Sequence, residues 1–184
     1  MVTQRLDDIR ERICDPVFLG NKGLSNEVGI HVFCYAPQDE MMVREHIRRL
    51  REDSSLPCHI EERDLYEIFL AILEEKRVLK AAPELEEKKG SAYLLAQLRR
   101  TASPQAFLER MDYRPHTPGR DVLFVTGVGK VHPFLLSHDM LNNMQHRFAD
   151  IPVVMFYPGS YNGQTLSLFD ESLEGNYYRA FNLL

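Results

Sequence analysis

Four short segments of the chain carry apolar and β-branched residues in runs that are too short for helices. Residues 121–126 and 151–157 are almost continuously apolar, and residues 28–35 combine β-branched with aromatic side chains. Runs of this kind predict strands, and the continuous ones are typical of strands that are buried on both faces of a parallel sheet. A fourth, weaker strand is predicted at residues 57–62.

Between these strands, apolar residues recur with the spacing of a helix. The clearest stripe, at i, i+3, i+4, i+7 and i+8, consists of Leu65, Ile68, Phe69, Ile72 and Leu73. Asp64 precedes it and Glu67 follows three residues later, which is the spacing of a capping box. Helices are also predicted at residues 1–14, 38–51, 80–100, 104–111 and 165–173, and from about residue 133 onward.

The alternation of strands and helices predicts a three-layer α/β fold, in which helices flank a mostly parallel central sheet. The helices within residues 64–112 are expected to form a helical insertion. No repeat or linker divides the sequence, so residues 1–184 are predicted to form a single domain. The expected topology is P-loop-like, but without a Walker A loop.

The charge of the chain argues against direct DNA binding. The sequence has 22 lysine and arginine residues against 27 aspartate and glutamate residues, a net charge of −5. From residue 121 onward the only basic residues are Lys130, Arg147 and Arg179. Because a DNA-binding chain normally presents a basic face, we expect no direct contact with DNA.

Cysteine use and hydropathy favour a cytoplasmic protein. The three cysteines are an odd number, and no two of them have C-x-x-C spacing, which argues against a disulfide framework or a zinc knuckle. Residues 1–12 lack the apolar core of a signal peptide. No apolar run approaches the roughly 20 residues of a membrane span, so we expect no membrane association.

The loop after the third predicted strand is a candidate ligand site. Gly127, Gly129 and Lys130 lie at the carboxyl end of that strand, where α/β folds bind their ligands. A Walker A loop has the pattern G-x-x-x-x-G-K-[ST], but Phe124 stands where its first glycine belongs and Val131 follows the lysine. Two interpretations stay open: a structural turn, or a degenerate P-loop-type site that senses a nucleotide or a phosphate.

The residues supply no complete catalytic or metal-binding motif. A metal-dependent hydrolase site is one interpretation of three residues that follow the loop, His132, Asp139 and His146. They lack the H-E-x-x-H spacing of a known metal-binding motif, and a structural or interface role explains them equally well. The sequence also has no G-x-S-x-G elbow. We therefore predict a protein that is not an enzyme, with no catalytic residue, no cofactor and no metal.

Two groups of residues are candidates for a protein interface. Arg44 and Arg48 belong to an arginine cluster in the helix predicted at residues 38–51, although the acids around them also suit a solvated helix face. The second group consists of Tyr161, Tyr177, Tyr178 and Arg179. Tyrosine and arginine are typical anchors of interfaces, while closure of the core is the alternative role for the aromatic residues.

Five phrases of the sequence are distinctive rather than generic. They are GLSNEVGIHVFCYAPQDEMMVREHI (residues 23–47), DLYEIFLAILEE (64–75), FVTGVGKVHPFLLSHDMLNNMQ (124–145), PVVMFYPGSYNGQTLSLF (152–169) and NYYRAFNLL (176–184). In this order, and over nearly the whole chain, they resemble the BrxB family of the bacteriophage exclusion (BREX) defence system.

The resemblance implies a cytoplasmic component of a bacterial or archaeal antiphage system. That system marks host DNA by adenine methylation and blocks replication of unmarked phage DNA. The implied partners are a PglZ-like protein of the alkaline-phosphatase superfamily, a BrxC-like ATPase and, as a further candidate, a PglX-like methyltransferase. The family has no agreed catalytic residue to carry over, so the expected role is a non-catalytic accessory or assembly subunit.

Overall fold

Six strands form the central sheet in the computed structural model, which describes residues 2–21, 29–169 and 181–184. They are β1 (Ile30–Tyr35), β2 (His59–Asp64), β3 (Asp121–Thr126), β4 (Val153–Tyr161), β5 (Leu166–Leu168) and β6 (Phe181–Asn182). Along the sheet the order is β2-β3-β4-β1-β6, and each of these neighbours pairs in parallel. The short β5 pairs antiparallel with the end of β4. The predicted, mostly parallel sheet is therefore confirmed.

Nine α-helices are described, in addition to a short 3-10 helix at Pro37–Asp39, and they divide between the two faces of the sheet. They are α1 (Val2–Cys14), α2 (Pro16–Leu19), α3 (Glu40–Glu52), α4 (Leu65–Glu75), α5 (Val78–Lys89), α6 (Ser91–Thr101), α7 (Pro104–Met111), α8 (Val128–Val131) and α9 (Ser137–Arg147). Helices α1 to α3 share one apolar core with the sheet, and α4 with α6 to α9 share the other. This arrangement gives the three predicted layers.

The sequence pattern explains both cores. All six residues of β3 are buried, as expected for a strand that is covered on both faces. Successive side chains of a strand point to opposite faces, so Phe124 packs in the core of α1 to α3 while Val125 packs in the core of α4 to α9. Helices α4 to α7 connect β2 to β3, and α5, which has no buried residue, is the outer part of the predicted helical insertion.

The region after β4 differs from the sequence prediction. A strand was expected to lie within residues 151–157 and a helix at residues 165–173, but β4 continues to Tyr161 and residues 166–168 form β5. The reason is a hairpin loop, in which the Asn162 side-chain oxygen accepts the N–H groups of Gln164 at 2.9 Å and Thr165 at 2.7 Å. Asn-Gly, here Asn162 and Gly163, is the strongest short hairpin signal. Residues 170–173 of the predicted helix lie outside the described residues.

His31 on β1 predicts a pH dependence of stability. Burial and, to a smaller degree, the Arg12 guanidinium lower the pKa of His31 from 6.5 to about 4. The unfolded chain therefore binds this proton at a higher pH than the folded chain, and stability falls as the pH drops from 6.5 towards 4. Between about pH 7 and pH 5 we expect urea denaturation to report a loss of roughly 2 kcal/mol.

A His31→Gln variant is the control for this pH dependence, because its side chain does not titrate in this range. We expect the slope of stability against pH to become much shallower in the variant. A small slope of the same sign should persist, since burial also lowers the pKa of His46. An unchanged slope would show that His31 is not the group responsible.

Candidate functional site

Strands β2 and β3 end side by side at the carboxyl edge of the sheet, where Asp64 is in register with Thr126. The Asp64 carboxylate caps α4: its Oδ1 accepts the N–H groups of Tyr66 at 2.8 Å and Glu67 at 3.2 Å. The cap predicted from the sequence is confirmed. The hydrogen bonds of the described residues do not include the return bond from the Glu67 carboxylate, so this is a simple N-cap rather than a capping box.

The same carboxylate contacts the glycine-containing loop that follows β3. Lys130 Nζ donates to Asp64 Oδ2 at 2.7 Å, and the ammonium lies 5.5 Å from the centre of the Tyr66 ring. The Asp64 side chain is only 9% exposed, so solvent screens this ion pair poorly. Arg44 on α3 approaches the same oxygen at 3.6 Å.

The two glycines of the loop let the chain pack against itself. Gly127 has a φ of +74°, and a Cβ built on it would lie 2.2 Å from Asp64 Oδ1. A Cβ built on Gly129 would lie 2.8 Å from Pro158 and 3.0 Å from Phe169. Both positions therefore need glycine for contacts within the chain.

Gly127 gives a stability prediction with a matched control. We expect Gly127→Ala to lower the free energy of unfolding by about 2 kcal/mol, because it adds left-handed strain and displaces the capping carboxylate. Gly163 also has a left-handed φ, of +91°, but a Cβ there would meet nothing within 4 Å. Gly163→Ala should therefore cost only about 1 kcal/mol. Equal losses in urea denaturation would refute the steric argument.

The candidate ligand loop, Gly127, Gly129 and Lys130, stays a prediction. The Lys130 ammonium of this loop faces the Asp64 carboxylate. The negative charge of that carboxylate would repel a phosphate placed beside Lys130. The helix that begins after the loop, α8, has only four residues. We expect isothermal titration with millimolar ATP or GTP to give no binding heat, and a saturable heat would favour the P-loop-like interpretation.

Further charged and hydroxyl side chains complete this edge of the sheet. Glu62 accepts a bond from the Thr126 hydroxyl at 2.9 Å and one from Arg51 at 2.5 Å. The Tyr35 hydroxyl donates to Glu40 at 2.5 Å, and burial together with this carboxylate raises the pKa of Tyr35 well above 10. We call this set the carboxyl-edge cluster; its members are Tyr35, Glu40, Arg44, Arg51, Glu62, Asp64, Thr126 and Lys130. Its charged groups neutralise one another.

The predicted interface residues are distributed over separate elements. Arg48 on α3 forms ion pairs with Glu45 at 2.8 Å and Glu52 at 2.6 Å. Hydrogen bonds from Arg48 and Arg49 lower the pKa of Glu45 from 4.5 to about 2. Tyr161 is half-buried at the end of β4, and its hydroxyl donates to the Gly163 carbonyl at 3.0 Å. The remaining candidates, Tyr177, Tyr178 and Arg179, lie outside the described residues.

Two members of the carboxyl-edge cluster that bond across the sheet, Glu62 and Thr126, are not indicated by any motif of the sequence. Both end predicted strands, and the carboxyl ends of parallel strands meet at one edge. A position at the end of a predicted strand is therefore the sequence signal for both residues. It shows that Glu62 and Thr126 are neighbours only once β2 and β3 are known to lie side by side. Met41, which is 73% exposed next to this cluster, is likewise not indicated by any motif of the sequence.

Two further features concern metals and membranes. Within residues 2–21, 29–169 and 181–184, no group of three histidine, cysteine, aspartate or glutamate side chains is placed to hold a metal ion. The alternative of a metal site on His132, Asp139 and His146 therefore has no support from the described geometry. In the same part of the chain, every helix is too short or too polar to span a bilayer.

The fold and the site define a three-layer α/β protein whose sheet edge carries an internally paired ionic cluster. A family model described as "BREX protein BrxB" matches residues 61–183. The chain belongs to the BrxB family, as the resemblance predicted, and hence to the proteins of the BREX antiphage system.

Two curated relatives match along almost their entire length. A BREX protein BrxB of Bacillus cereus (strain H3081.97) is 46% identical over 191 residues, covering 100% of this chain and 97% of the relative. A BREX protein BrxB of Escherichia coli O9:H4 (strain HS) is 31% identical over 184 residues, covering 98% of this chain and 90% of the relative. No solved structure matches the chain significantly.

Proposed function

We propose that this chain is a non-catalytic accessory subunit that helps to assemble a BREX phage-defence complex in the cytoplasm. In this role it binds a PglZ-like protein and a BrxC-like ATPase, and it supports host DNA methylation and phage restriction without contacting DNA. A PglX-like methyltransferase is a further candidate partner. Membership of the BrxB family supports the setting, and the carboxyl-edge cluster supports the role.

The observation that carries the proposal is the state of the charged groups at the carboxyl edge. In open α/β sheets this edge is where ligands and substrates bind. Here the Asp64 carboxylate accepts hydrogen bonds from the N-terminus of α4 and from Lys130. The Glu62 carboxylate accepts hydrogen bonds from the Thr126 hydroxyl and from Arg51. These intramolecular contacts support a structural role for Asp64 and Glu62, and that role is the basis for proposing a subunit without catalysis.

The surface of α3 offers contacts to a partner. Arg44 and Arg48 are both about half exposed, with side chains 44% and 54% accessible. Two methionines precede them on the same helix: Met41 is 73% exposed and Met42 is 48% exposed. Exposed methionine beside arginine is a composition that protein interfaces favour, so we propose that this surface contacts a partner, with Tyr161 as a second candidate contact.

The test is co-purification of the tagged chain with its PglZ-like and BrxC-like neighbours, each co-expressed separately. We expect at least one of them to remain bound, and the double variant Arg44→Glu with Arg48→Glu to weaken that binding. Arg100→Glu, an exposed arginine near the end of α6, is the matched control and should bind normally. A chain that stays alone at micromolar concentration, or that turns over a substrate by itself, would contradict the proposal.

A further inference from the structure

The hairpin loop between β4 and β5 contains an asparagine that is followed by a glycine. These two residues, Asn162 and Gly163, are both exposed. Of the seven asparagines in the sequence, Asn162 is the only one that precedes a glycine. The order is chemically important, because the backbone nitrogen after an asparagine can attack the carbon of its side-chain amide. Glycine hinders this attack least, since it has no Cβ and gives the backbone the widest range of conformations.

The attacking group, the Gly163 nitrogen, is not engaged in another bond. The hydrogen bonds of the described residues include none that the Gly163 N–H donates. Its carbonyl, by contrast, accepts the Tyr161 hydroxyl at 3.0 Å. Gly163 has a φ of +91°, and a Cβ built on it would meet nothing within 4 Å. Because the residue faces open space, water and hydroxide can reach the nitrogen and remove its proton.

The group under attack, the Asn162 side-chain amide, is oriented and polarised by the same loop. Its Oδ1 accepts the N–H groups of Gln164 at 2.9 Å and Thr165 at 2.7 Å. These bonds turn the side chain back along the loop. Two N–H donors at such distances form the arrangement of an oxyanion hole, which stabilises the negative charge that develops on a carbonyl oxygen under attack. The leaving group, Nδ2, makes no hydrogen bond among the described residues.

Asn143 on α9 has a contrasting environment. It is also exposed, but a methionine follows it, and its Nδ2 donates to the Asp139 carbonyl at 2.6 Å. The N–H group of Met144 lies inside α9, where helical N–H groups bond to the carbonyl four residues earlier. A nitrogen that is held in this way cannot turn toward the preceding side chain. Exposure alone therefore does not make an asparagine reactive in this chain.

We propose that Asn162 is a site of spontaneous modification, at which water converts the asparagine to aspartate and isoaspartate. In the first step the Gly163 nitrogen loses its proton and bonds to Asn162 Cγ. The Cγ–Nδ2 bond breaks, Nδ2 takes up a proton and leaves as ammonia, and a cyclic succinimide remains. Water then opens this ring, so each conversion consumes one water and releases one ammonia, without oxidation or reduction. The inference does not depend on the proposed function.

The ring opens in two ways, and the two products act differently on the hairpin. Breaking the bond between the Gly163 nitrogen and Cγ restores the main chain and leaves an aspartate, whose carboxylate still accepts the N–H groups of the loop. Breaking the bond to the Asn162 main-chain carbon gives isoaspartate, which adds a methylene to the main chain. That extra atom disrupts the short pairing of β4 with β5. Only isoaspartate is therefore expected to release the Phe169 N–H from the Pro158 carbonyl, to which it donates at 2.9 Å.

Peptide mapping by mass spectrometry of the purified full-length chain, incubated at neutral and at mildly alkaline pH, tests the proposal. We expect the peptide that contains Asn162 to gain the mass difference between a hydroxyl and an amino group. Both products should change the net charge of the chain from −5 to −6, and a protein isoaspartyl methyltransferase should label the isoaspartate form. The rate should rise with pH, because the Gly163 nitrogen must lose its proton. The peptide that contains Asn143 is the internal control and should stay unchanged over the same time.

Two variants complete the test. Gly163→Ala should still fold, since the added Cβ has free space, and its methyl group should slow the modification several-fold. Asn162→Asp marks the aspartate product in ion-exchange chromatography, and hydrogen exchange of the Phe169 amide should be unchanged in this variant but faster in the isoaspartate form.

Three results would overturn the proposal: an Asn162 that stays intact, modification of Asn143 at the same rate, or equal rates in Gly163→Ala and the wild-type chain. Equal exchange of the Phe169 amide in the aspartate and isoaspartate forms would refute the expected loosening of β5.

Discussion

Replacing Phe156 by alanine is expected to lower the free energy of unfolding by about 3–5 kcal/mol, the usual cost of truncating a fully buried phenylalanine. Phe156 lies on β4 and is 1% exposed. Its ring centre is 5.0 Å from that of Phe124 and 5.8 Å from that of Phe33. These rings belong to three adjacent strands and fill the core under α1 to α3, so the cavity left by alanine cannot be closed by one side chain.

Urea denaturation followed by circular dichroism measures this loss. Tyr93→Ala on α6 is the control, because Tyr93 is 43% exposed, and it should cost less than about 1 kcal/mol. If Phe156→Ala is too unstable to study, Phe156→Leu should cost about 1–2 kcal/mol. Similar losses for Phe156→Ala and Tyr93→Ala would contradict the placement of the three rings in one core.

The second large effect is expected at Asp64. We expect Asp64→Ala to cost about 2–4 kcal/mol in urea denaturation, because it removes the cap of α4 and the carboxylate that pairs with Lys130 and Arg44. Loss of a cap alone costs about 1 kcal/mol. The larger value expected here reflects mainly the lost ion pair with Lys130, since Arg44 is 44% exposed and still faces Glu40.

Two variants divide this loss into its parts. Asp64→Asn keeps an acceptor for the α4 N–H groups but removes the charge, so we expect it to cost about half as much as Asp64→Ala. Ser103→Ala removes the cap of α7, where the hydroxyl accepts the Ala106 N–H at 3.3 Å, without affecting an ion pair. If Asp64→Ala costs no more than Ser103→Ala, the ion pairs at Asp64 contribute nothing measurable.

The core position Phe156 and the proposed interface lie in different parts of the chain. Phe156 is buried in the sheet, whereas Met41 and Arg48 on α3 are exposed. Variants of these two exposed residues should therefore alter partner binding with little change in stability. Arg44 differs from them because it also contacts the Asp64 carboxylate, so its variants are expected to change both binding and stability.

Much of the fold was predictable from local pattern. The segment Asp121–Thr126 is a strand as predicted, and Asp64 caps the helix that begins after it. The hairpin after β4 was missed, although Asn162 and Gly163 signalled it. The helix expected from about residue 133 begins at Ser137. The first error concerned the type of an element, because a helix was expected where residues 166–168 form β5, and the second concerned where a helix begins.

The sequence by itself determined the types of the main elements, the residues that face the core and the family to which the chain belongs. These properties follow from side-chain spacing over a few residues and from phrases that are contiguous in the chain. Only the tertiary structure decided that β2 is an edge strand, that Lys130 bonds to Asp64 across 66 positions, and that Thr126 bonds to Glu62 across 64. The physical reason is that strand order sets these contacts, and strand order depends on how the two cores pack rather than on any local pattern.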